Sequence, residues 1–206
     1  PIGELFWGTA GGYSGPSKFS DITVLDNEVY VALDKTRGRM FAYDDQGRNL
    51  WAFGGSGNMA GFFRSAASIE HAGYELMVLD SVEGSVTIFE PTEYGRLIYQ
   101  ATEQYQRGEY RASADTWQRV LQLNGNFELA YIGVGRALLR EENYKEAMRY
   151  FKLANDEVNY SKAFQEQRKI WVEENIGWIF VILAAALALP LLIGRIKKVR
   201  EELREA

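Results

Sequence analysis

One uncharged apolar stretch, Ile176 to Ile193, constrains this chain more than any other feature of its sequence. At about 1.5 Å of rise per residue, a helix of this length reaches roughly 27 Å. A hydrocarbon core of about 30 Å needs a helix of that order, and each central Leu or Ile favours insertion by about 0.3 to 0.6 kcal/mol. The sequence therefore predicts a single transmembrane helix over 176–194, because too few residues follow it to bury such a helix in a core.

The residues that flank this stretch predict its orientation. Basic residues follow it, whereas Glu173 and Glu174 come directly before it. The positive-inside rule then places the basic tail, 195–206, in the cytoplasm and the residues before the span outside a plasma membrane. Aromatic and basic side chains also gather at membrane interfaces. The predicted membrane-interface residues are Trp171, Trp178, Arg195, Lys197 and Lys198.

Composition excludes several classes of function. The net charge of −5 and the absence of a long Lys/Arg stripe argue against a nucleic-acid partner. The chain contains no Cys, which excludes thiolate chemistry and sulfur metal sites, and His71 is its only histidine. A Ser-His-Asp triad or a zinc site would therefore depend on that one residue. We predict no catalytic residue, no metal ligand and no cofactor.

The first 93 residues contain a repeated unit of strands. Short β-branched and aromatic runs alternate with Gly, Asp and Asn, and two such runs align with Asp34 opposite Asp80, at an offset of 46 residues. A repeat of this length is in the range of a four-stranded propeller blade. About two such units are present, whereas a closed propeller needs about four to eight. We therefore expect further blades before Pro1.

From Glu93 onward the apolar residues recur with a helical period. The segments 94–127 and 128–161 have 34 residues each and align without a gap. Small residues fall where paired helices would touch, and Tyr110 and Tyr144 stand where each second helix would begin. This spacing resembles that of two tetratricopeptide repeats, each of which is a helix hairpin.

The first helix of each hairpin would present one side to the concave face of such an array. The predicted partner-binding groove on that side contains Ile98, Thr102, Tyr105, Leu129, Ile132, Arg136 and Arg140. The two arginines lie four residues apart on one helix face, where their guanidinium groups could bind an acidic segment. The alternative is that both arginines belong to a solvated helix face.

A fifth helix is expected after Ser161, which is a candidate N-cap. We predict that this helix caps the array over 162–175 and continues into the membrane, because no Pro/Gly linker separates it from the apolar stretch. Such continuity would make the connection to the membrane rigid. An alternative function is therefore a sensor, in which the rigid helix transmits a signal across the membrane when a ligand binds outside the cell.

These features together resemble a group of bacterial membrane proteins. The aromatic-ended strands and the turn DDQGR at 44–48 resemble NHL-type propeller repeats, and the stretches FEPTEYGRL and YKEAMRYFKLA resemble proteins in which these repeats precede a Yip-type multispanning domain. The resemblance implies a multidomain fold: all-β propeller blades over 1–93, all-α tetratricopeptide hairpins over 94–161 and a single transmembrane helix. It also implies further spans after Ala206 and genes near sugar uptake systems.

The function expected from these features is a membrane-anchored extracytoplasmic scaffold without catalysis. Its partner would be a protein, or alternatively a glycan or another ligand, and the resemblance implies an accessory role in solute or carbohydrate uptake. The alternative is a propeller hydrolase or lyase whose active site lies in upstream blades. Asp34, Glu70, Asp80 and His71 could then supply ligands, but we interpret the repeated Asp as a turn cap and His71 as a turn residue.

Overall fold

A computed structural model describes the backbone of residues 15–205 and the side chains of residues 15–197. In this part of the chain seven strands precede five helices. The strands are β1 (Phe19–Val24), β2 (Tyr30–Asp34), β3 (Arg39–Tyr43), β4 (Asn49–Gly54), β5 (Ala66–Ala72), β6 (Glu75–Asp80) and β7 (Ser85–Phe89). The helices are α1 (Glu93–Gln106), α2 (Tyr110–Leu123), α3 (Glu128–Arg140), α4 (Tyr144–Leu153) and α5 (Glu157–Glu205).

The strands form two small antiparallel sheets. The first sheet has the order β1-β2-β3-β4 and the second β5-β6-β7, so each strand pairs with the next one along the chain. Because short hairpin turns connect neighbouring strands, this order needs no crossover. β1 and β5 lie beside each other, and the backbone N–H of Ile69 in β5 donates to Oδ2 of Asp21 in β1 at 2.9 Å. This hydrogen bond links the two sheets.

The two repeated aspartates cap equivalent hairpin turns. Oδ1 of Asp34 accepts a hydrogen bond from the backbone N–H of Thr36 at 2.9 Å, and Oδ1 of Asp80 accepts one from Val82 at 2.9 Å. Both carboxylates are buried. Burial opposes the ionisation of Asp80, but backbone donors, including the N–H of Arg64, outweigh it and lower the pKa of this carboxyl. Both aspartates are therefore turn caps, as the repeat predicts.

The first four helices form two hairpins. α2 begins at Tyr110 and α4 begins at Tyr144, as the sequence predicts. Close contact within the second hairpin depends on Gly135 of α3, because a Cβ at this position would lie 2.5 Å from Cε1 of Phe151 in α4. The missing side chain lets the aromatic ring pack directly on the helix backbone.

A single hydrophobic core joins the strands to the first three helices. Leu33 of β2 and Val78 of β6 belong to the same buried cluster as Ile98 of α1, Trp117 of α2 and Val134 of α3. α1 begins only a few residues after β7, so its apolar stripe packs directly against the sheets. The strands and the helices thus bury their apolar faces in one another.

The predicted fold class is wrong. The described residues form a small α/β domain with two small antiparallel sheets, and no closed barrel or propeller occurs among them. The prediction of separate all-β propeller blades and all-α tetratricopeptide hairpins fails because the two parts share a core. The change of period at Glu93 marks the change from strand to helix within that core.

α5 begins at Glu157, before the predicted N-cap Ser161. Oδ1 of Asp156 accepts a hydrogen bond from the backbone N–H of Asn159 at 3.0 Å and so caps the first turn. The chain leaves α4 through Asn155, whose φ of 52° is left-handed, a conformation that Asn tolerates well. This tight connection lets α5 pack against α4 one turn earlier than predicted.

The C-terminal part of α5 is long and apolar enough, by length and composition, to cross a membrane. The described helix from Glu157 to Lys197 contains an 18-residue apolar window, none of which is buried against the rest of the chain. Trp171 and Trp178 are exposed near the start of that window, and Pro190 lies inside the helix. A fully exposed apolar helix is what contact with lipid requires.

Candidate functional site

The predicted partner-binding residues lie along α1 and α3, but three of the seven are buried. Ile98, Thr102 and Ile132 have little contact with solvent, and the hydroxyl of Thr102 donates to the carbonyl oxygen of Ile98 at 2.8 Å. Tyr105, Leu129 and Arg136 are half-buried, and Arg140 is exposed. The side chains available to a partner are therefore mainly the polar ones near the C-terminal ends of α1 and α3.

These polar side chains line a cavity of about 380 Å³, which we call the polar groove. It lies between the C-terminal ends of α1 and α3 and the first turns of α5. Its residues are Gln46, Tyr105, Arg136, Leu139, Arg140, Tyr144, Asn159, Lys162, Gln165 and Glu166. Most of them carry hydrogen-bonding or charged groups, so the groove suits a polar or charged ligand.

Arg136 binds an acidic turn of its own chain. Its Nη2 lies 3.2 Å from Oδ2 of Asp45, and its Nη1 lies 3.7 Å from Oδ2 of Asp44. Its guanidinium carbon lies 4.5 Å from the centroid of the Tyr105 ring, which is within the range of a cation–π interaction. The side chains are only 13% exposed for Arg136 and 28% for Asp45, so water screens this ion pair less than a surface pair.

The turn between β3 and β4 is ordered so that its carboxylates reach the helices. Oδ1 of Asp44 accepts hydrogen bonds from the backbone N–H groups of Gln46 at 3.0 Å and Arg48 at 2.9 Å. Its Oδ2 accepts one from Nε of Arg48 at 3.0 Å. Gly47 has a φ of 73°, which favours glycine. The sequence indicates this turn, but it contains no signal that Asp44 and Asp45 would contact Arg136.

The other end of the polar groove is basic. Arg140 lies one helical turn beyond Arg136, and its Nε donates to the hydroxyl of Tyr105 at 3.3 Å. This hydrogen bond raises the pKa of the Arg140 guanidinium. Within residues 15–197, no carboxylate forms an ion pair with Arg140 or with Lys162. Glu166, which also lines the groove, pairs with Lys169 at 2.7 Å.

His71 lies at the end of β5, next to the hairpin turn, and its ring contacts β1 of the other sheet. Its Nδ1 is 2.7 Å from Oγ1 of Thr23 and 3.2 Å from Oε1 of Glu70. The backbone N–H of His71 and the hydroxyl of Thr23 both donate to Glu70 and lower the pKa of its carboxyl. No cluster of three His, Asp or Glu side chains suited to a metal ion occurs among the described residues.

The predicted membrane-interface residues lie on α5. Trp171 and Trp178 are exposed on either side of the start of the apolar segment, and Arg195 and Lys197 are exposed after it. The side chain of Lys198 lies outside the described residues. The aromatic and basic side chains therefore flank the candidate span at its two ends.

No protein-family model matches the sequence, and no curated protein gives a significant match. The resemblance to NHL, tetratricopeptide and Yip-type proteins therefore stays a prediction.

Proposed function

We propose that this protein is a membrane-anchored binding protein, without catalysis, whose polar groove takes an acidic segment of a protein partner. The observation that carries this proposal is the ion pair of Arg136, whose guanidinium lies over the Tyr105 ring, with the acidic turn beside the groove. The other end of the groove contains Arg140 and Lys162, which are positively charged like Arg136. An acidic segment that enters at this end would bind to basic side chains of the same kind as Arg136, which already pairs with Asp45.

The charges of the groove favour a peptide over a glycan. The guanidinium of Arg140 has five N–H donors in a planar fork that matches a carboxylate. Asn159 and Gln165 could hydrogen-bond to the backbone of an extended peptide. A neutral glycan would use the amides equally well, but it would bring no counter-charge to Arg140 or Lys162. An acidic peptide satisfies both sets of groups at once.

The continuity of α5 supports a partner close to the membrane. Lys162 lies in the groove, and the helix runs without a break from there to the apolar segment that begins at Ile176. At about 1.5 Å per residue, this part of the helix measures about 20 Å. The groove would therefore stand a short distance above the bilayer, where it could reach the acidic segment of another membrane-associated protein.

The location proposed for the groove is the extracytoplasmic side of the plasma membrane. The basic residues Arg195, Lys197 and Lys198 follow the candidate span, and such residues are retained in the cytoplasm. The resemblance to Yip-type proteins supports an accessory role in solute or carbohydrate uptake. In that role the acidic segment would belong to a component of the uptake system.

Peptide binding to the full chain in nonionic detergent tests the proposal. We would compare a peptide that carries four consecutive Asp or Glu residues with the peptide of equal length in which Asn and Gln replace them. We expect the acidic peptide to bind at least tenfold more tightly, and Arg140→Ala and Lys162→Ala each to weaken its binding severalfold. Arg111→Ala removes an exposed arginine from α2 and should leave the affinity unchanged.

The dependence on salt provides an independent measurement. Charges near a protein surface are screened over a Debye length of about 10 Å at 0.1 M salt, and over shorter distances as the salt concentration rises. The affinity for the acidic peptide should therefore fall as salt is added. Equal affinity for the acidic and amide peptides, or an affinity that Arg140→Ala leaves unchanged, would contradict the proposal.

A further inference from the structure

A second cavity, which shares no lining residue with the polar groove, lies where the outer strands of the two sheets meet the start of α1. Its volume is about 500 Å³, and we call it the aromatic cavity. β4 contributes Trp51 and Phe53, β7 contributes Phe89, and the first turn of α1 contributes Tyr94. Cavities of about 300 to 1,000 Å³ are typical of sites for small molecules.

One position of the cavity wall requires glycine. Gly54 lines it with a φ of 96°, and a Cβ at this position would lie 2.6 Å from the carbonyl oxygen of Gly38. A side chain at position 54 would therefore be excluded on steric grounds. Protein interiors are close-packed, and apolar walls hold water poorly because they offer few hydrogen bonds. The cavity therefore has the size and the lining of a ligand site.

Aromatic rings form most of the lining. Within residues 15–197, seven aromatic side chains contribute to it. The ring centroids of Trp51 and Phe53 are 5.1 Å apart, those of Phe53 and Phe89 are 5.1 Å apart, and those of Tyr74 and Tyr99 are 5.0 Å apart. The face of an aromatic ring carries negative potential, so several rings around one space attract a cation that has little water around it.

The formal charge of Glu90, at the edge of the cavity, has the sign that a cation requires. Among the described residues that line the cavity, Glu90 is the only charged one, and it is exposed. An anionic ligand would be repelled by this carboxylate and would find no Lys or Arg among the described lining residues. A neutral apolar ligand would fit the rings but would gain nothing from Glu90. A cation with an apolar surface uses the rings and the carboxylate together.

We propose that the aromatic cavity binds a small organic cation of the quaternary or alkylated ammonium class. Such a cation has methyl groups that fill apolar space and a charge that the rings and Glu90 stabilise. This binding is separate from the capture of an acidic segment, because the two sites have no residue in common. Either activity can therefore be tested, and can fail, without the other.

The test compares choline with its neutral isostere 3,3-dimethyl-1-butanol, which has the same shape and no charge. Titration calorimetry on the full chain in nonionic detergent would measure both affinities. We expect choline to bind at least tenfold more tightly than the alcohol. Glu90→Gln should weaken choline severalfold without affecting the fold, because the side chain is exposed; Glu75→Gln, an exposed carboxylate on β6, is the matched control.

Removal of one ring tests the aromatic contribution. Phe53 is 38% exposed, so Phe53→Leu keeps an apolar side chain at the cavity and should not disturb the core. We expect this variant to weaken choline severalfold and to leave the alcohol almost unchanged, whereas Phe164→Leu on α5 should change neither. Equal affinity for choline and the alcohol, or no binding of choline at concentrations of about 10 mM, would overturn the proposal.

Discussion

Nη2 of Arg136 lies 3.2 Å from Oδ2 of Asp45, although 91 residues separate the two in the sequence. This ion pair fastens the β3–β4 turn to α3, above the core that the strands and helices share. It also engages Arg136, which lines the polar groove, with an acidic turn of the same chain. The ion pair should therefore raise the stability of the protein and lower its affinity for an acidic partner.

Asp45→Asn should lower the stability of the protein and raise its affinity for an acidic peptide. The substitution keeps the size of the side chain but removes the charge that faces Arg136. For a partly exposed pair we expect a loss of about 1 kcal/mol in the free energy of unfolding. The released guanidinium should increase the peptide affinity about fivefold, which is the equivalent of about 1 kcal/mol. Urea unfolding and peptide titration measure the two effects.

The control for this prediction is Glu146→Gln, which breaks the ion pair with Arg149 at the exposed surface of α4. It should change neither the free energy of unfolding by more than a few tenths of a kcal/mol nor the peptide affinity. A double-mutant cycle between Asp45 and Arg136 isolates the coupling. A coupling near zero would mean that the ion pair does not hold the turn.

Gly135→Ala should destabilise the second helix hairpin. The new Cβ would lie 2.5 Å from the ring of Phe151, which is fully buried. Overpacking of this kind costs about 1 to 3 kcal/mol. Gly125→Ala is the matched control, because a Cβ there would lie 3.7 Å from its nearest contact, the carbonyl oxygen of Leu121. Urea unfolding of both variants would decide; equal stabilities would contradict this packing.

The sequence predicts the hairpins well because their signals are local. The start of α2 at Tyr110 and of α4 at Tyr144 follows from a period and a turn that lie within a few residues of each helix end. The caps at Asp34 and Asp80 are local in the same way. Interactions of this range depend on neighbouring residues and are therefore legible in one sequence.

The arrangement of these elements could not be predicted, because it depends on contacts between distant residues. The apolar stripe of α1 indicates a buried face, but not that the sheets cover Ile98. In the same way, Arg136 and Arg140 look equivalent in the sequence. Only the position of the β3–β4 turn distinguishes them, since it pairs Arg136 with Asp45 and leaves Arg140 exposed.

Asp80→Asn should make the free energy of unfolding depend less strongly on pH in the acid range. The pKa of this carboxyl is lower in the folded protein than in the unfolded chain, where it is about 3.9. The unfolded chain therefore binds more protons below that pH, and stability falls as the pH drops from about 4 through the folded pKa. Above that range, the contribution of Asp80 is fully present.

The variant should be less stable than the natural protein at neutral pH, because an amide accepts hydrogen bonds from the backbone N–H groups less strongly than a carboxylate. Its free energy of unfolding should also change less between pH 6 and about 3. Asp115→Asn, at an exposed position on α2, should leave the pH dependence as it is. If the free energy of unfolding of Asp80→Asn falls with decreasing pH as steeply as that of the natural protein, this turn cap is not responsible for the loss of stability in acid.

The orientation of the candidate span can be measured by cysteine labelling, because the chain contains no cysteine of its own. Ser161→Cys places a thiol at an exposed position on α5 before the apolar segment, and Glu201→Cys places one in the tail. We expect a membrane-impermeant maleimide to label position 161 in intact cells, and position 201 only after permeabilisation. The reason is that Arg195, Lys197 and Lys198 favour the cytoplasmic side.

Insertion itself can be tested with Leu187→Arg, which places a charge in the middle of the apolar segment. A central Arg costs about 2.5 to 3.5 kcal/mol of insertion free energy, so the fraction of the protein that resists extraction from membranes by alkali should fall. Leu187→Ala keeps the segment uncharged and should remain in the membrane fraction. If Leu187→Arg remains in the membrane fraction to the same extent as Leu187→Ala, α5 does not cross the hydrocarbon core. In that case the maleimide should label positions 161 and 201 equally in intact cells.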